Sequence, residues 1–231
     1  RVYGLSRKKV ESEFFTSIPT DITELDQIQN SINEILSKES RIDVLINNAG
    51  MGMVGAVEDS TKEDIMKLFN LNLIGAVQMM TAVMPSMRNQ KFGQIINVSS
   101  IGSEMGLPFR GFYSASKSAL DKVVEAMRYE VAQWNVEVCS LHLGDIKTNI
   151  AENRVRTQVS KPYETIFNKV YSLMNAHVDD GTEPIEVAVY IDQLLQKSKW
   201  KPHFYFGKFG QKIGVPLKWI LPQLVYENLM K

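Results

Sequence analysis

Phe92-Gly93-Gln94-Ile95-Ile96-Asn97-Val98, then a loop from Gly102 to Gly111, then Tyr113 to Gln133, then Val136-Glu137-Val138-Cys139-Ser140-Leu141-His142-Leu143: this stretch decides the fold. The first and last pieces are short apolar runs and read as strands, whereas the long piece between them carries helical periodicity. Strands joined by a helical crossover of this length run parallel, and the crossover is right-handed.

The same alternation extends outward in both directions. Toward the amino terminus, strands are predicted over Arg1 to Leu5 and Phe14 to Ile18, separated by the charged turn Ser6 to Glu13. Leu25, Ile28, Ile32 and Ile35 predict a helix over Asp21 to Lys38, and Ile42 to Ile46 forms the next strand. Thr61 to Met87 has helical spacing through Ile65, Leu68, Leu71, Ile74 and Val77, but Asn70 and Asn72 interrupt it, so two consecutive helical pieces are expected. Toward the carboxyl terminus come a helix over Lys161 to Met174, a helix over Ile185 to Gln196 with Pro184 in its first turn, and a strand over His203 to Phe206. The fold class is therefore α/β, a doubly wound, mostly parallel, Rossmann-like sheet with helices on both faces. The organisation expected is one domain over residues 1–231, with 145–182 covering the active-site mouth and 207–231 forming a tail.

Composition narrows the function classes. Lysine plus arginine and aspartate plus glutamate both number 26, so no net positive field exists to hold nucleic acid. The lone cysteine, Cys139, excludes an intrachain disulfide framework, fits a reducing compartment and lies in an apolar strand where a buried, inert thiol is expected. No uninterrupted apolar run approaches the roughly 20 residues of a membrane-spanning helix. The localisation expected is cytoplasmic, and no metal site is assigned.

Chemistry concentrates in Tyr113-Ser114-Ala115-Ser116-Lys117 at the start of a helix. Residues four apart share a helical face, so the Tyr113 phenol and the Lys117 ammonium can act as a pair, the cation favouring a phenolate. Ser99 and Ser100 end an apolar strand where the loops of α/β proteins gather catalytic groups, and either hydroxyl could hold a carbonyl oxygen or simply cap the strand end. Ile46-Asn47-Asn48-Ala49-Gly50 also lies at a strand end; its small residues permit close backbone approach to a ligand, or a purely structural turn.

Together, Asn47-Asn48-Ala49-Gly50, Asn72 within Asn72-Leu73-Ile74-Gly75, Ser100 and Tyr113-Ser114-Ala115-Ser116-Lys117 resemble the short-chain dehydrogenase/reductase family. Ser100 stands thirteen residues before Tyr113, as the family's catalytic serine does, which favours it over Ser99. The resemblance implies a nicotinamide-dependent oxidoreductase that interconverts an alcohol and a carbonyl. In it Tyr113 exchanges the proton, Lys117 lowers the tyrosine pKa and contacts the nicotinamide ribose, Ser100 holds the reacting oxygen, and Asn72 supports the helix bend and a water-mediated proton path. Asn48, Ala49, Gly50, Gly144, Ile146 and Thr148 would contact the cofactor, together with Tyr113 and Lys117. Leu143-Gly144 departs from the family's usual Pro-Gly, and so lacks a dihedral restraint. Arg7 resembles the positive residue that selects the extra phosphate of NADP(H) over NAD(H), and Asp21 the position near adenine, although an aspartate there could equally cap a helix.

The family's first strand and glycine-rich turn are not in this chain. They would lie between the strands at Arg1 to Leu5 and Ile42 to Ile46, so a strand-helix unit of roughly 30 residues is expected to precede Arg1. A catalytically inactive cofactor-binding scaffold or regulatory protein is the alternative. The resemblance further places Met105, Leu107 and Phe109 beside Ser100 and Tyr113 in the substrate pocket, for an apolar substrate such as a steroid, retinoid or acyl-chain ketone. It also implies a homodimer or homotetramer through the helices near Asn72 to Met87 and Tyr113 to Gln133. Basic and aromatic residues alternate from Lys197 to Lys231, so the tail could rest on a membrane surface or pack against the domain.

Overall fold

A computed structural model describes residues 1–148 and 154–230. Four strands form the larger sheet: β3 (Val44–Asn47), β5 (Gly93–Ser100), β6 (Val136–Leu143) and β8 (His203–Phe206), in that spatial order. Strands β1 (Tyr3–Ser6) and β2 (Thr16–Pro19) form a separate pair, and the short β4 (Met53–Val54) and β7 (Val155–Arg156) another. All these pairings are parallel. Among the described residues β1 and β3 are not hydrogen-bonded to each other, so each leaves one edge open.

Alternation along the central strands distributes side chains to two cores. Ile95, Val136 and Val138 face one side, against α1 (Leu25–Glu39), α3 (Ala76–Gln90) and α4 (Gly111–Val131). Ile96, Cys139 and Leu141 face the other, against Val187 and Leu194 of α6 (Pro184–Leu195) and against Trp200. Met80, Val83 and Met87 of α3 are fully buried in the first core. The helical run Lys62–Gln90 that contains them is long and apolar enough to pass for a membrane span by length and composition, but here it carries a core face.

The predicted elements recur with instructive shifts. Helix α1 begins at Leu25 rather than Asp21, because the Asp21 carboxylate accepts from the Thr23 N–H and hydroxyl and closes a turn ahead of the helix. The two helical pieces expected over Thr61 to Met87 are α2 (Lys62–Phe69) and α3, joined without a break by a π-helical segment, Asn70–Gly75. Such widened turns reorient a side chain that a regular helix would place elsewhere. Helix α5 (Glu164–Asp179) runs past the predicted end at Met174, and the tail folds into α7 (Phe209–Ile220) and α8 (Gln223–Met230). That tail packs on the loop after β5: Lys218 donates to the Glu104 carbonyl, and the Tyr226 hydroxyl reaches Met105 Sδ at 3.0 Å.

Candidate active site

Because the strands of the larger sheet are parallel, Asn47, Ser100, Leu143 and Phe206 end them on one edge, and the loops leaving that edge build the site. Asn47 itself is structural. It is buried, and its amide donates to the Ala76 carbonyl at 3.0 Å and to Asn97 Oδ1 at 2.9 Å, tying β3 to α3 and β5. Asn48, Ala49 and Gly50 then emerge exposed.

Asn72 holds this turn from the π-helical segment. Its Oδ1 accepts the Met51 N–H at 2.9 Å, while Nδ2 donates to the Met51 carbonyl at 3.0 Å and to the Ser116 hydroxyl at 3.1 Å. One amide thus grips both polar groups of a single residue and fastens α4 to the loop. A Cβ on Gly50 would stand 3.3 Å from Asn72 Oδ1 and 3.3 Å from Lys117 Nζ, so Gly50, Asn72 and Lys117 converge around one cradle.

Lys117 is buried in α4, and its ammonium donates to the Val98 carbonyl at 2.8 Å. Burial pushes its pKa down to about 8, with the Asp121 carboxylate acting the other way. Ser100 closes β5, its hydroxyl accepting the Gly102 N–H at 3.0 Å. The Tyr113 phenol is raised above its ordinary pKa by burial, opposed first by hydrogen bonding to Ser100, then by the charges of Arg110 and Arg154; Asp145 raises it further. The sign therefore differs from the depression expected from Lys117. Desolvation outweighs the nearby cations, and the cations acting on Tyr113 are two arginines. A signal for one of them existed in the sequence: Arg110 precedes Tyr113 by three residues, one helical turn. Arg154 has no such signal, since it arrives from beyond β6. Its stem packs on Gly52, and its guanidinium donates to Asn175 Oδ1 at 2.8 Å.

The remaining predicted residues are distributed around this centre. Gly144 is pinned by its N–H to the Phe206 carbonyl at 2.8 Å, and a Cβ there would run into Gln211. Ile146 bridges to Thr182, and Thr148 is exposed. Part of the expected covering segment, 149–153, lies outside the described residues. Arg7 and Asp21, just past β1 and β2, are close enough for the arginine to help hold the carboxyl below its usual range, although the Thr23 hydrogen bonds do most of this. Leu107 approaches Gly102, and Met105 is taken by Tyr226. Phe109, at φ 57°, turns its ring edge-on to Phe167 at 5.3 Å, in a cluster with Val54 and Met174.

A buried lysine, a tyrosine and a strand-end serine thus stand beside a backbone cradle at one edge of a parallel α/β sheet. Residues 5–159 match the family model described as short chain dehydrogenase. The chain belongs to the short-chain dehydrogenase/reductase family, whose members bind NAD or NADP and act on carbonyls and alcohols. It is 36% identical over 234 residues to a 3-ketodihydrosphingosine reductase of Bacteroides thetaiotaomicron, covering 100% of this chain and 86% of that one. It is 29% identical over 238 residues to a probable short-chain type dehydrogenase/reductase of Helicobacter pylori, covering 100% and 88%. A short-chain dehydrogenase from Streptomyces avermitilis shares the fold at a TM-score of 0.83 and 24% identity, over 93% of this chain and 82% of that one.

Proposed function

We propose that this protein interconverts a ketone or other carbonyl with a secondary alcohol, using NADP(H) in preference to NAD(H), with Tyr113 as the proton donor and acceptor. The observation that carries this reading is the convergence of Gly50, Asn72 and Lys117 around one open cradle, with Ser100 and Tyr113 in the same site. The residues present fit a nicotinamide cofactor: the exposed Asn48-Ala49-Gly50 turn and Gly144 offer backbone approach, and Lys117 and Thr148 offer donors. When bound, the nicotinamide supplies or accepts the hydride.

The protein's part is positional and acid-base. Ser100 orients the reacting oxygen, and Tyr113 gives its phenolic proton to that oxygen during reduction or takes it back during oxidation. Arg110 and Arg154 stabilise the phenolate left behind, and Lys117 stands ready to contact a ribose. Asn72 keeps the turn after β3 in register with α4. Arg7, close to Asp21 and exposed, supplies the charge that favours the additional phosphate of NADP.

The substrate reading is a largely apolar carbonyl compound, supported by Met105, Leu107 and Phe109 and by a relative named as a 3-ketodihydrosphingosine reductase. Arg110 and Arg154 outnumber Asp145 near Tyr113, which favours an anionic over a cationic polar group on that substrate. The open edges of β1 and β3 would accept a further parallel strand between them. Exposed Phe209, Ile213, Trp219, Ile220 and Leu224 on α7 and α8, with Lys208 and Lys212, support contact of the tail with an anionic lipid surface. Homo-oligomerisation through the helices around Asn72 to Met87 and Tyr113 to Gln133 completes the reading, as a homodimer or homotetramer.

Tyr113→Phe tests it, because it deletes one hydroxyl and preserves the ring. With a ketone found by following NADPH consumption across acyl-ketone and steroid panels, hydride transfer should fall about a hundredfold or more, while cofactor affinity stays within about twofold. Retention of the wild-type rate where chemistry limits turnover would overturn the acid-base assignment.

A further inference from the structure

Behind Ser100 lies a row of polar groups that the reaction above leaves unused. His142 of β6 is fully buried, and its Nδ1 faces two partners: the Ser100 carbonyl at 3.2 Å and the Ser103 hydroxyl at 3.1 Å. Its Nε2 meets His203 Nδ1 at 2.9 Å, and His203 Nε2 meets Glu125 Oε1 at 3.0 Å. The row thus runs from the backbone of the strand-end serine to a carboxylate on α4 that also binds the exposed Lys122.

Counting hydrogens shows that this row has two satisfied states. Its ends, a carbonyl and a carboxylate, can only accept. Filling all three links therefore takes three hydrogens on the two imidazoles, one more than two neutral rings carry, and that state holds a positive charge. With two neutral rings, His142 donates from Nε2 to His203, His203 donates to Glu125, and Nδ1 of His142 becomes an acceptor for the Ser103 hydroxyl. Neither state leaves a ring nitrogen unpaired. They differ by one proton and by whether the Ser100 carbonyl receives a hydrogen bond.

We propose that His142, acting with His203 and Glu125, is a positioning residue for Ser100, whose hold on the serine backbone is set by the uptake of one proton by the row. The inference rests on the reading of Ser100 as the residue that holds the reacting oxygen. The added proton fills His142 Nδ1, the ring nitrogen that accepts from the Ser103 hydroxyl in the neutral row, and the Ser100 carbonyl replaces that hydroxyl as its partner. In the charged state the carbonyl of Ser100 is clamped while its hydroxyl is held by Gly102, so the side chain has less freedom.

The charges around the row set its response. Glu104, after β5, places a carboxylate oxygen 3.8 Å from His142 Nδ1, and Asp121 of α4 places another at 3.8 Å, the latter bonded to Ser99. From β8, Tyr205 stacks on the His142 ring at 4.6 Å and donates to Glu104, and its phenol is neutral, pushed up by burial. Lys117 partly offsets Asp121, Lys122 offsets Glu125, and Lys218 meets the Glu104 carbonyl. Burial drives His142 toward the neutral form, and Asp121, the Ser100 carbonyl and Glu104 draw it back. Glu104, His142 and His203 also form the one close group of metal-ligand types among the described residues, but each imidazole nitrogen of His142 already has a hydrogen-bond partner.

NMR of the imidazole ring nitrogens tests this on the full chain without any substrate, so its outcome is separate from that of the oxidoreductase reading. The chain has three histidines, and exposed His177 is an internal control. As the pH falls from about 9 to 5, His142 should move from the Nε2–H tautomer to a form that carries hydrogen on Nδ1, in step with His203. Glu125→Gln should weaken this proton uptake about tenfold and leave His177 unmoved. In turnover with a responsive ketone, His203→Gln should flatten the corresponding pH step and lower kcat about threefold on its acid side, with the KM for cofactor unchanged. The proposal is overturned if His142 keeps one tautomer across the range while His203 titrates alone, or if His203→Gln retains the wild-type pH profile.

Discussion

Lys117→Met turns the burial of one ammonium into a measurable curve. In the folded protein the Lys117 pKa falls from 10.5 to about 8, and the side chain is 5% exposed. Below pH 8 both folded and unfolded chains carry this proton, and burying the charge costs the folded state about 3 kcal/mol. Between pH 8 and 10.5 the folded state has released the proton and the unfolded state still holds it. The unfolded chain then binds more protons, so stability rises with pH. From this group alone the wild-type protein should gain about 2.5 kcal/mol between pH 7 and 10. Methionine fills a similar volume and has nothing to titrate, but it strands the Val98 carbonyl, which costs about 1–3 kcal/mol at every pH. The variant should therefore match or slightly exceed the wild type in stability at pH 7 and fall below it at pH 10. Urea unfolding at half-unit pH steps measures the difference, and Tyr113, whose raised pKa lowers stability only above about pH 10, is common to both proteins. Parallel stability curves between about pH 7.5 and 10 would refute the burial argument. Catalysis and cofactor placement should both suffer in the same variant.

Arg7→Ala should weaken NADP(H) binding about tenfold and leave NAD(H) binding nearly unchanged, as read by titration at matched ionic strength; equal losses for both would remove Arg7 as a phosphate selector. Gly75→Ala places a Cβ 2.7 Å from the Ile22 backbone carbonyl, and because backbone cannot swing aside the fold should lose about 1–3 kcal/mol in chemical denaturation. Trp219→Ser combined with Phe209→Ser should abolish sedimentation with vesicles of anionic lipid and leave turnover of a water-soluble ketone intact; unchanged sedimentation would argue for a protein contact at that surface.

The placement of the candidate residues was legible because it obeys local rules: Tyr113 and Lys117 sit one turn apart, and Ser99 and Ser100 end an apolar run. Their roles were not, since the same spacings serve helix packing and strand-end capping, and only the family resemblance chose Ser100 over Ser99. Asn72 was visible as an interruption of a helical pattern, but its target was not. The contact with Met51 spans 21 residues and depends on the π-helical turn. Asp21 misled the helix boundary because an aspartate can close a turn as readily as cap a helix. The tail's glycines and prolines concealed two helices, whose stability comes from packing against the loop after β5 rather than from propensity. His142 gave no signal at all. An alternating strand places it on the α4 side, but only β8, more than sixty residues later, supplies the partner that makes it part of a row.

Helix α4 is, in mechanical terms, a ruler. Tyr113, Lys117, Asp121 and Glu125 stand at equal intervals of four residues along it, spanning about 18 Å from the first to the last. Tyr113, Lys117 and Asp121 meet Ser100, Val98 and Ser99 of β5 and Glu125 meets His203 of β8, so a single inserted residue would rotate every mark beyond it by about 100° and break several contacts together. The loop from Gly102 to Arg110 has no such periodic obligation. Variation can therefore accumulate at its exposed positions, Gly106 and Pro108, while α4 keeps its length, and engineering of this protein should leave the ruler untouched and work there.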